Sequence, residues 1–138
     1  QNPKLASIRL FDAMIAQKLG YQKGFCSLEK NCAPYLLVEW NGDIYPCDFF
    51  AQDEYKVGNL MESDLSELKK QRDRKFLPLK SALSDECKKC KWLSLCYGGC
   101  VKDRLFPSNP HSNKTYYCEG YKKFFEHSNS WFDKHFKK

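Results

Sequence analysis

Long apolar runs are missing from this sequence. No stretch approaches the roughly twenty residues that a helix needs to cross a bilayer, which excludes a helical membrane anchor within these residues. The opening segment, QNPKLASIRLFDAMIAQ, has neither the apolar h-region nor the small-residue cleavage site of a secretory leader. It also has no initiator Met, so the chain is expected to be a piece of a longer protein. Internal repeats, low-complexity tracts and Gly/Ser linkers are absent as well. What remains is one domain, or a core with an appended element.

What is present is apolar enough to fold. The chain has 138 residues, 42% of them hydrophobic and 15% aromatic, which excludes a disordered tail. At this size about two-thirds of the unfolded surface is buried. Lys and Arg number 23 against 17 Asp and Glu, for a net charge of +6. That excess reads as ordinary solvated charge, well short of a dedicated phosphate binder. The anomaly is eight cysteines. In a secreted chain an even count would mean a disulfide framework; without an export signal it points to metal.

Residues 4–19 carry Leu5, Ile8, Leu10, Phe11, Met14, Ile15 and Leu19 near a 3.6-residue period, which predicts a helix ended by Gly20. PYLLVEWNGDIYPCDFF predicts a β-hairpin, with a strand near 35–40, an Asn41-Gly42 turn and a second strand over 43–47. EYKVGNL adds a further short extended piece. SDLSELKKQRDRKFL predicts a surface helix capped by Ser63, with Glu67 in its first turn, ending before Pro78. Residues 84–117 have no sustained period and read as irregular loops held by their thiols. The tail places Tyr121, Phe124, Phe125, Trp131, Phe132 and Phe136 on roughly one helical face, the pattern of a helix packed on a core.

CKKCKWLSLCYGGC packs four thiols, Cys87, Cys90, Cys96 and Cys100, into fourteen residues. Disulfides within that run would be strained or need distant partners, and no βαβ context suggests a redox Cys-x2-Cys. Zinc and iron–sulfur clusters both accept four thiolates. Zinc ribbons usually pair two Cys-x2-Cys knuckles, and only one, Cys87/Cys90, occurs here. Eight thiols nevertheless suit two tetrathiolate sites, and spacing alone groups 87, 90, 96 and 100. His111 sits in a polar loop and His127 and His135 on the tail, so none is expected to bind metal.

The order Cys32-x9-Gly42-x4-Cys47, then Cys87-x2-Cys90-x5-Cys96-x3-Cys100, then Cys118 resembles the seven-cysteine signature of the SPASM domain. That domain is a C-terminal extension of certain radical S-adenosylmethionine enzymes. The YPCDFF, DEYKVGNL and CKWLSLCYGGC segments and the upstream Cys26 make the resemblance closer to the anaerobic sulfatase-maturating enzymes. It covers residues from about 25 to 120. It implies two [4Fe–4S] clusters, one on Cys26, Cys32, Cys47 and Cys100, the other on Cys87, Cys90, Cys96 and Cys118. Zinc is the alternative occupant in aerobically purified material. It further implies oxidation of a Cys or Ser of an unfolded sulfatase segment to Cα-formylglycine. In that scheme a 5′-deoxyadenosyl radical takes a hydrogen from the substrate Cβ, Asp48 takes the thiol or hydroxyl proton, and an electron leaves toward an auxiliary cluster.

One departure from the whole enzyme matters. Cys-x3-Cys-x2-Cys, which binds the catalytic cluster and S-adenosylmethionine in that superfamily, occurs nowhere in the chain. The fragment is therefore expected to be inactive alone, with S-adenosylmethionine and a third cluster residing in an N-terminal barrel. The resulting expectation is a small α+β fold in which a β-hairpin and irregular Cys-rich loops surround two cluster sites, flanked by N- and C-terminal helices. Residues 1–24 lead from the barrel, 25–118 form the SPASM domain, and 119–138 form an amphipathic helix. Partners would be the sulfatase polypeptide and that barrel, in a cytoplasmic monomer touching neither nucleic acid nor membrane. Two other readings are a SPASM protein that modifies a different peptide and a zinc-stapled interaction module.

Overall fold

The chain turns over Trp40, Asn41 and Gly42, one residue more than a two-residue Asn-Gly turn, with the Gly42 N–H donating to the Glu39 carbonyl at 2.9 Å. Gly42 takes a φ of +85°, and Glu39 N–H donates to the Asp43 carbonyl at 2.9 Å across the turn. β1 (Leu37–Val38) then pairs antiparallel with β2 (Asp43–Tyr45), Leu37 opposite Tyr45. The extended piece expected in EYKVGNL is β3 (Gly58–Asn59), which pairs antiparallel with the other edge of β2. In this computed structural model, residues 6–111 and 113–135 are described. Phe136 and Leu5 of the expected helical faces lie outside them.

Two compact units form, one from residues 31–82, the other from 1–30 together with 83–138. The first holds the three-stranded sheet and α2 (Leu65–Ser81). Its core is Ile44, Val57 and Leu68, with Leu36 packed against them. Phe50 adds edge-on contacts to Tyr55 and Phe76, at centroid distances of 4.7 and 5.0 Å. α2 departs from expectation at both ends. Its cap is Asp64, whose carboxylate accepts from the Ser66 N–H at 2.8 Å, not Ser63. It also continues through Pro78 to Ser81. Proline removes one donor from the ladder, and the helix closes beyond it with the Ala82 N–H donating to the Pro78 carbonyl at 3.0 Å.

The other unit joins both terminal helices. α1 runs over Arg9–Lys18, shorter than the apolar period suggests, with Gly20 beyond its end at φ +83°. α6 (Cys118–His135) buries Phe125 and Phe132 against Ala13 and Met14 of α1, with Leu28 and Leu95 completing the core. Trp131 departs from the expected face. It is 51% exposed and stacks on His135 at 4.2 Å, because the buried stripe follows 118, 125, 128 and 132. Residues 84–117 are not wholly irregular. They contain three single-turn helices, α3 (Asp85–Lys88), α4 (Leu93–Cys96) and α5 (Val101–Arg104). Turns this short carry no period and cannot nucleate alone, so they were invisible to a pattern search. No helix among the described residues is long and apolar enough to cross a membrane.

Candidate metal centre

All eight cysteines are unbridged. Four of them, Cys87, Cys90, Cys96 and Cys118, line one pocket together with Trp92, Tyr121 and Phe125. They arrive from three directions. Ser84 caps α3 through its hydroxyl, which accepts from the Cys87 N–H at 3.2 Å and fixes the start of the knuckle. Cys90 lies just past α3, and its sulfur accepts from the Trp92 N–H at 3.4 Å. Cys96 ends α4, and Cys118 begins α6. Spacing alone had placed Cys100 with the knuckle. The pocket takes Cys118 in its stead, while Cys100 caps α5.

The chain can turn so sharply after Cys96 because three successive residues adopt the left-handed conformation: Tyr97 (φ +45°), Gly98 (+73°) and Gly99 (+70°). Space is tight at both glycines, and tightest in effect at Gly99, whose neighbour is the branch point of a side chain and not its flexible end. A Cβ on Gly98 would lie 2.5 Å from Leu83 Cδ2, and one on Gly99 would lie 2.8 Å from Thr115 Cβ. The turn aims the Gly98 and Gly99 N–H groups at the Cys96 sulfur. Donors to thiolate sulfur are a feature that tunes iron–sulfur centres.

Burial disfavours a bare thiolate at two of the four pocket cysteines. Burial pushes the Cys96 thiol up to about 11, and burial also raises Cys118. Tyr121 is pushed up to about 12 by burial, so the pocket wall is a neutral phenol. Four thiolates in this setting need a cationic centre to hold them. The sulfurs are also spread out. A tetrahedral zinc with Zn–S near 2.3 Å needs sulfurs about 3.8 Å apart. Among the described residues, the group whose ligand atoms fall within 4.8 Å of one another is Glu86, Cys118 and Glu119. Those two carboxylates are already engaged. Glu86 accepts from Lys114 at 2.8 Å and Lys122 at 3.0 Å, which hold its pKa down to about 2, and Glu119 accepts from Lys122 at 3.1 Å. Four thiols lining one cavity are a donor set that either a tetrathiolate ion or an iron–sulfur cluster accepts.

The other four cysteines divide between the units. Cys26 opens a 3₁₀ turn (Cys26–Leu28) and Cys100 caps α5 in one, whereas Cys32 and Cys47 belong to the other. Cys47 lies two residues past β2, immediately before the 3₁₀ turn Asp48–Phe50. Its sulfur lies 3.1 Å from Asp48 Oδ1 and 3.6 Å from the Tyr35 hydroxyl. Asp48 itself is exposed. The Cys47 thiol is raised chiefly by burial. None of the three histidines lines the pocket. Two groups beside the thiols escaped the sequence reading. Tyr35 carries no local signal for a sulfur contact, and Lys23, in a Gly-flanked loop, reads as a surface cation but is buried.

Residues 26–91 match the SPASM family, described as an iron–sulfur cluster-binding domain. The family match reaches five of the eight cysteines, Cys26, Cys32, Cys47, Cys87 and Cys90. A cysteine-type anaerobic sulfatase-maturating enzyme of Clostridium perfringens is 35% identical over 128 residues, spanning 92% of this chain and 35% of the relative. A serine-type enzyme of Bacteroides thetaiotaomicron is 36% identical over 123 residues, spanning 87% and 30%. The chain thus spans about a third of the length of the curated relatives it matches. The solved structure of native anSMEcpe with bound AdoMet and Kp18Cys peptide superposes with a TM-score of 0.83 at 34% identity. That superposition covers 98% of this chain and 38% of the other. The expected small α+β fold is therefore the fold of the C-terminal region of these enzymes.

Proposed function

The chain is a SPASM-domain homologue of the anaerobic sulfatase-maturating enzymes, and from that premise we propose that it is the auxiliary-cluster domain of a radical S-adenosylmethionine enzyme that oxidises a Cys or Ser of a sulfatase to Cα-formylglycine. The observation that carries this reading is the convergence of Cys87, Cys90, Cys96 and Cys118 on one pocket. These four would hold one [4Fe–4S] cluster, and the family resemblance assigns Cys26, Cys32, Cys47 and Cys100 as ligands of a second. Bound there, the clusters supply a one-electron sink for substrate oxidation.

The chain's own residues do three things. The cysteines place the clusters, with Gly98 and Gly99 N–H groups steadying the Cys96 sulfur. Trp92, Tyr121 and Phe125 wall the pocket with aromatic surface, which keeps water from the sulfurs. Asp48, exposed and in contact with Cys47, receives the proton from the substrate thiol or hydroxyl. The substrate is an extended sulfatase segment, in keeping with the peptide in the solved relative. A radical S-adenosylmethionine barrel supplies the hydrogen-abstracting step.

The test is metal content with single-thiol variants. Anaerobically reconstituted protein should be brown and contain roughly eight irons and eight sulfides per chain. Cys118→Ala should halve both numbers and leave a cluster whose EPR signal matches one of the wild-type pair. Cys100→Ala should also halve them but spare the other signal. A colourless protein holding two zinc ions after oxygen-free reconstitution would overturn the reading. If Cys100→Ala and Cys118→Ala removed the same signal, the two-set grouping would be wrong.

A further inference from the structure

Lys23 is 9% exposed, in the unit that contains the four-thiol pocket. Its ammonium donates to the carbonyls of Leu28 at 2.5 Å, Ser94 at 2.9 Å and Leu95 at 3.3 Å. It also lies 4.7 Å from the centre of the Tyr97 ring. Three of these four partners flank Cys96: the Ser94 and Leu95 carbonyls of α4 before it, and the Tyr97 ring after it. Among the described residues no carboxylate forms an ion pair with this ammonium. The neighbouring Glu29 is engaged by the backbone instead, accepting from the Lys23 N–H at 2.6 Å.

An ammonium buried against carbonyls and an aromatic face is an expensive arrangement unless an anion stands near. Burial lowers the Lys23 pKa from its usual value, and the attraction of Glu29 and of Cys96 opposes that loss. The chain thus fixes a buried positive charge on the carbonyls just before Cys96 and on the ring just after it, with no contacting carboxylate among the described residues.

We propose that Lys23 is a positioning residue for the metal centre at Cys87, Cys90, Cys96 and Cys118, its fixed charge serving as the counter-charge that raises the centre's reduction potential. This rests on the reading that the pocket holds a [4Fe–4S] cluster. Such a cluster with four thiolates is doubly negative when oxidised and triply negative after accepting one electron. A nearby buried cation stabilises the second state more than the first, so it favours reduction. The same ammonium also ties the segment ahead of Cys26 to α4, so charge and position act through one side chain.

The experiment is a dithionite titration of the anaerobically reconstituted protein followed by EPR, on wild type, Lys23→Met and Lys23→Arg. Lys23→Met should keep wild-type iron and sulfide but shift one midpoint potential negative. The expected change is about tenfold in the reduction equilibrium, or about 59 mV for a one-electron couple. The other cluster should shift much less. Lys23→Arg, which keeps the charge, should restore the potential. If Lys23→Met does not fold, Lys23→Gln carries the same test, because its amide can still donate to the Leu28 and Ser94 carbonyls. Unchanged potentials in a fully loaded neutral variant overturn the proposal, as does a negative shift that Lys23→Arg fails to restore. Wild-type protein that retains no iron would bring down the cluster reading itself, an outcome visible before any variant is titrated.

Discussion

Nε of Arg104 donates to the carbonyl of Gly98 at 2.8 Å, across the turn that follows Cys96. Nη2 adds the Tyr97 carbonyl at 2.9 Å and the Gly99 carbonyl at 3.4 Å, so one buried guanidinium serves three consecutive left-handed residues. A turn of this kind has no ladder to satisfy its carbonyls, and Arg104 supplies the missing donors. It also explains why a charged side chain is only 5% exposed.

Arg104→Met should therefore destabilise the unit by about 3 kcal/mol, since buried carbonyls lose charged donors. The measurement is urea unfolding of the oxygen-free protein beside its iron content. Stability should fall and the iron held by Cys87, Cys90, Cys96 and Cys118 should be lost first. A variant with wild-type stability and full iron would show that the turn holds itself.

Gly98 and Gly20 separate two effects that a single glycine mutant confounds. Both have positive φ, +73° and +83°, but a Cβ on Gly20 meets nothing within 4 Å, whereas one on Gly98 meets Leu83 Cδ2 at 2.5 Å. Gly20→Ala should cost only the left-handed penalty, about 1 kcal/mol. Gly98→Ala should cost clearly more, and should also lower iron retention. Equal melting temperatures for the two variants would rule out the steric contribution.

These contrasts show which parts of the molecule local sequence can encode. The hairpin was legible because short apolar runs flank the Asn41-Gly42 turn signal, and Gly42 supplies the positive φ that the loop needs. The terminal helices were legible because Met14 and Phe125 sit on long apolar periods. The passage of α2 through Pro78 was not, because local rules stop a helix there, whereas the buried stripe Leu68, Arg72, Phe76 and Lys80 runs past it. The placing of Cys118 in the pocket could not come from spacing either. Cys100 is nearer in sequence, and only the path of α5 and the start of α6 separates them. Lys23 was missed for a related reason: its burial depends on carbonyls more than seventy residues away.

Asp43 gives the sheet unit a dependence on acid. Its carboxylate accepts from Lys56 at 2.5 Å, Asn59 at 2.9 Å and Asn41 at 3.0 Å. The Lys56 and Asn59 bonds hold its pKa below the usual carboxylate value. A carboxylate whose folded pKa is depressed contributes stability fully above its unfolded value of about 3.9. That contribution is lost as pH falls through the lower, folded value. Asp43→Asn should thus be less stable than wild type at neutral pH, with the difference shrinking below about pH 4. Unfolding midpoints collected from about pH 2 to 7 check this. A gap that stayed constant across that range would show that the charge on Asp43 does not matter.

Asp48 is where sequence, geometry and proposed chemistry meet most closely. Its Oδ1 lies 3.1 Å from the Cys47 sulfur, and the residue is exposed at the start of the 3₁₀ turn. A carboxylate serving only to steady the fold would be expected to spend its oxygens on backbone donors, as Asp64 does with the Ser66 N–H. Asp48 keeps its carboxylate beside the sulfur and open to solvent, the placement a proton acceptor needs to reach a bound peptide. Asp48→Asn in the full-length enzyme keeps the side chain's shape and removes its basicity. Iron content and both EPR signals should match wild type, because no cluster ligand changes. Formylglycine in a sulfatase peptide, read by mass spectrometry, should fall by about a hundredfold or more, the scale of a lost general base. Wild-type turnover by that variant would remove Asp48 from the reaction and hand the proton to another group, while loss of one EPR signal would make it a cluster-supporting residue instead.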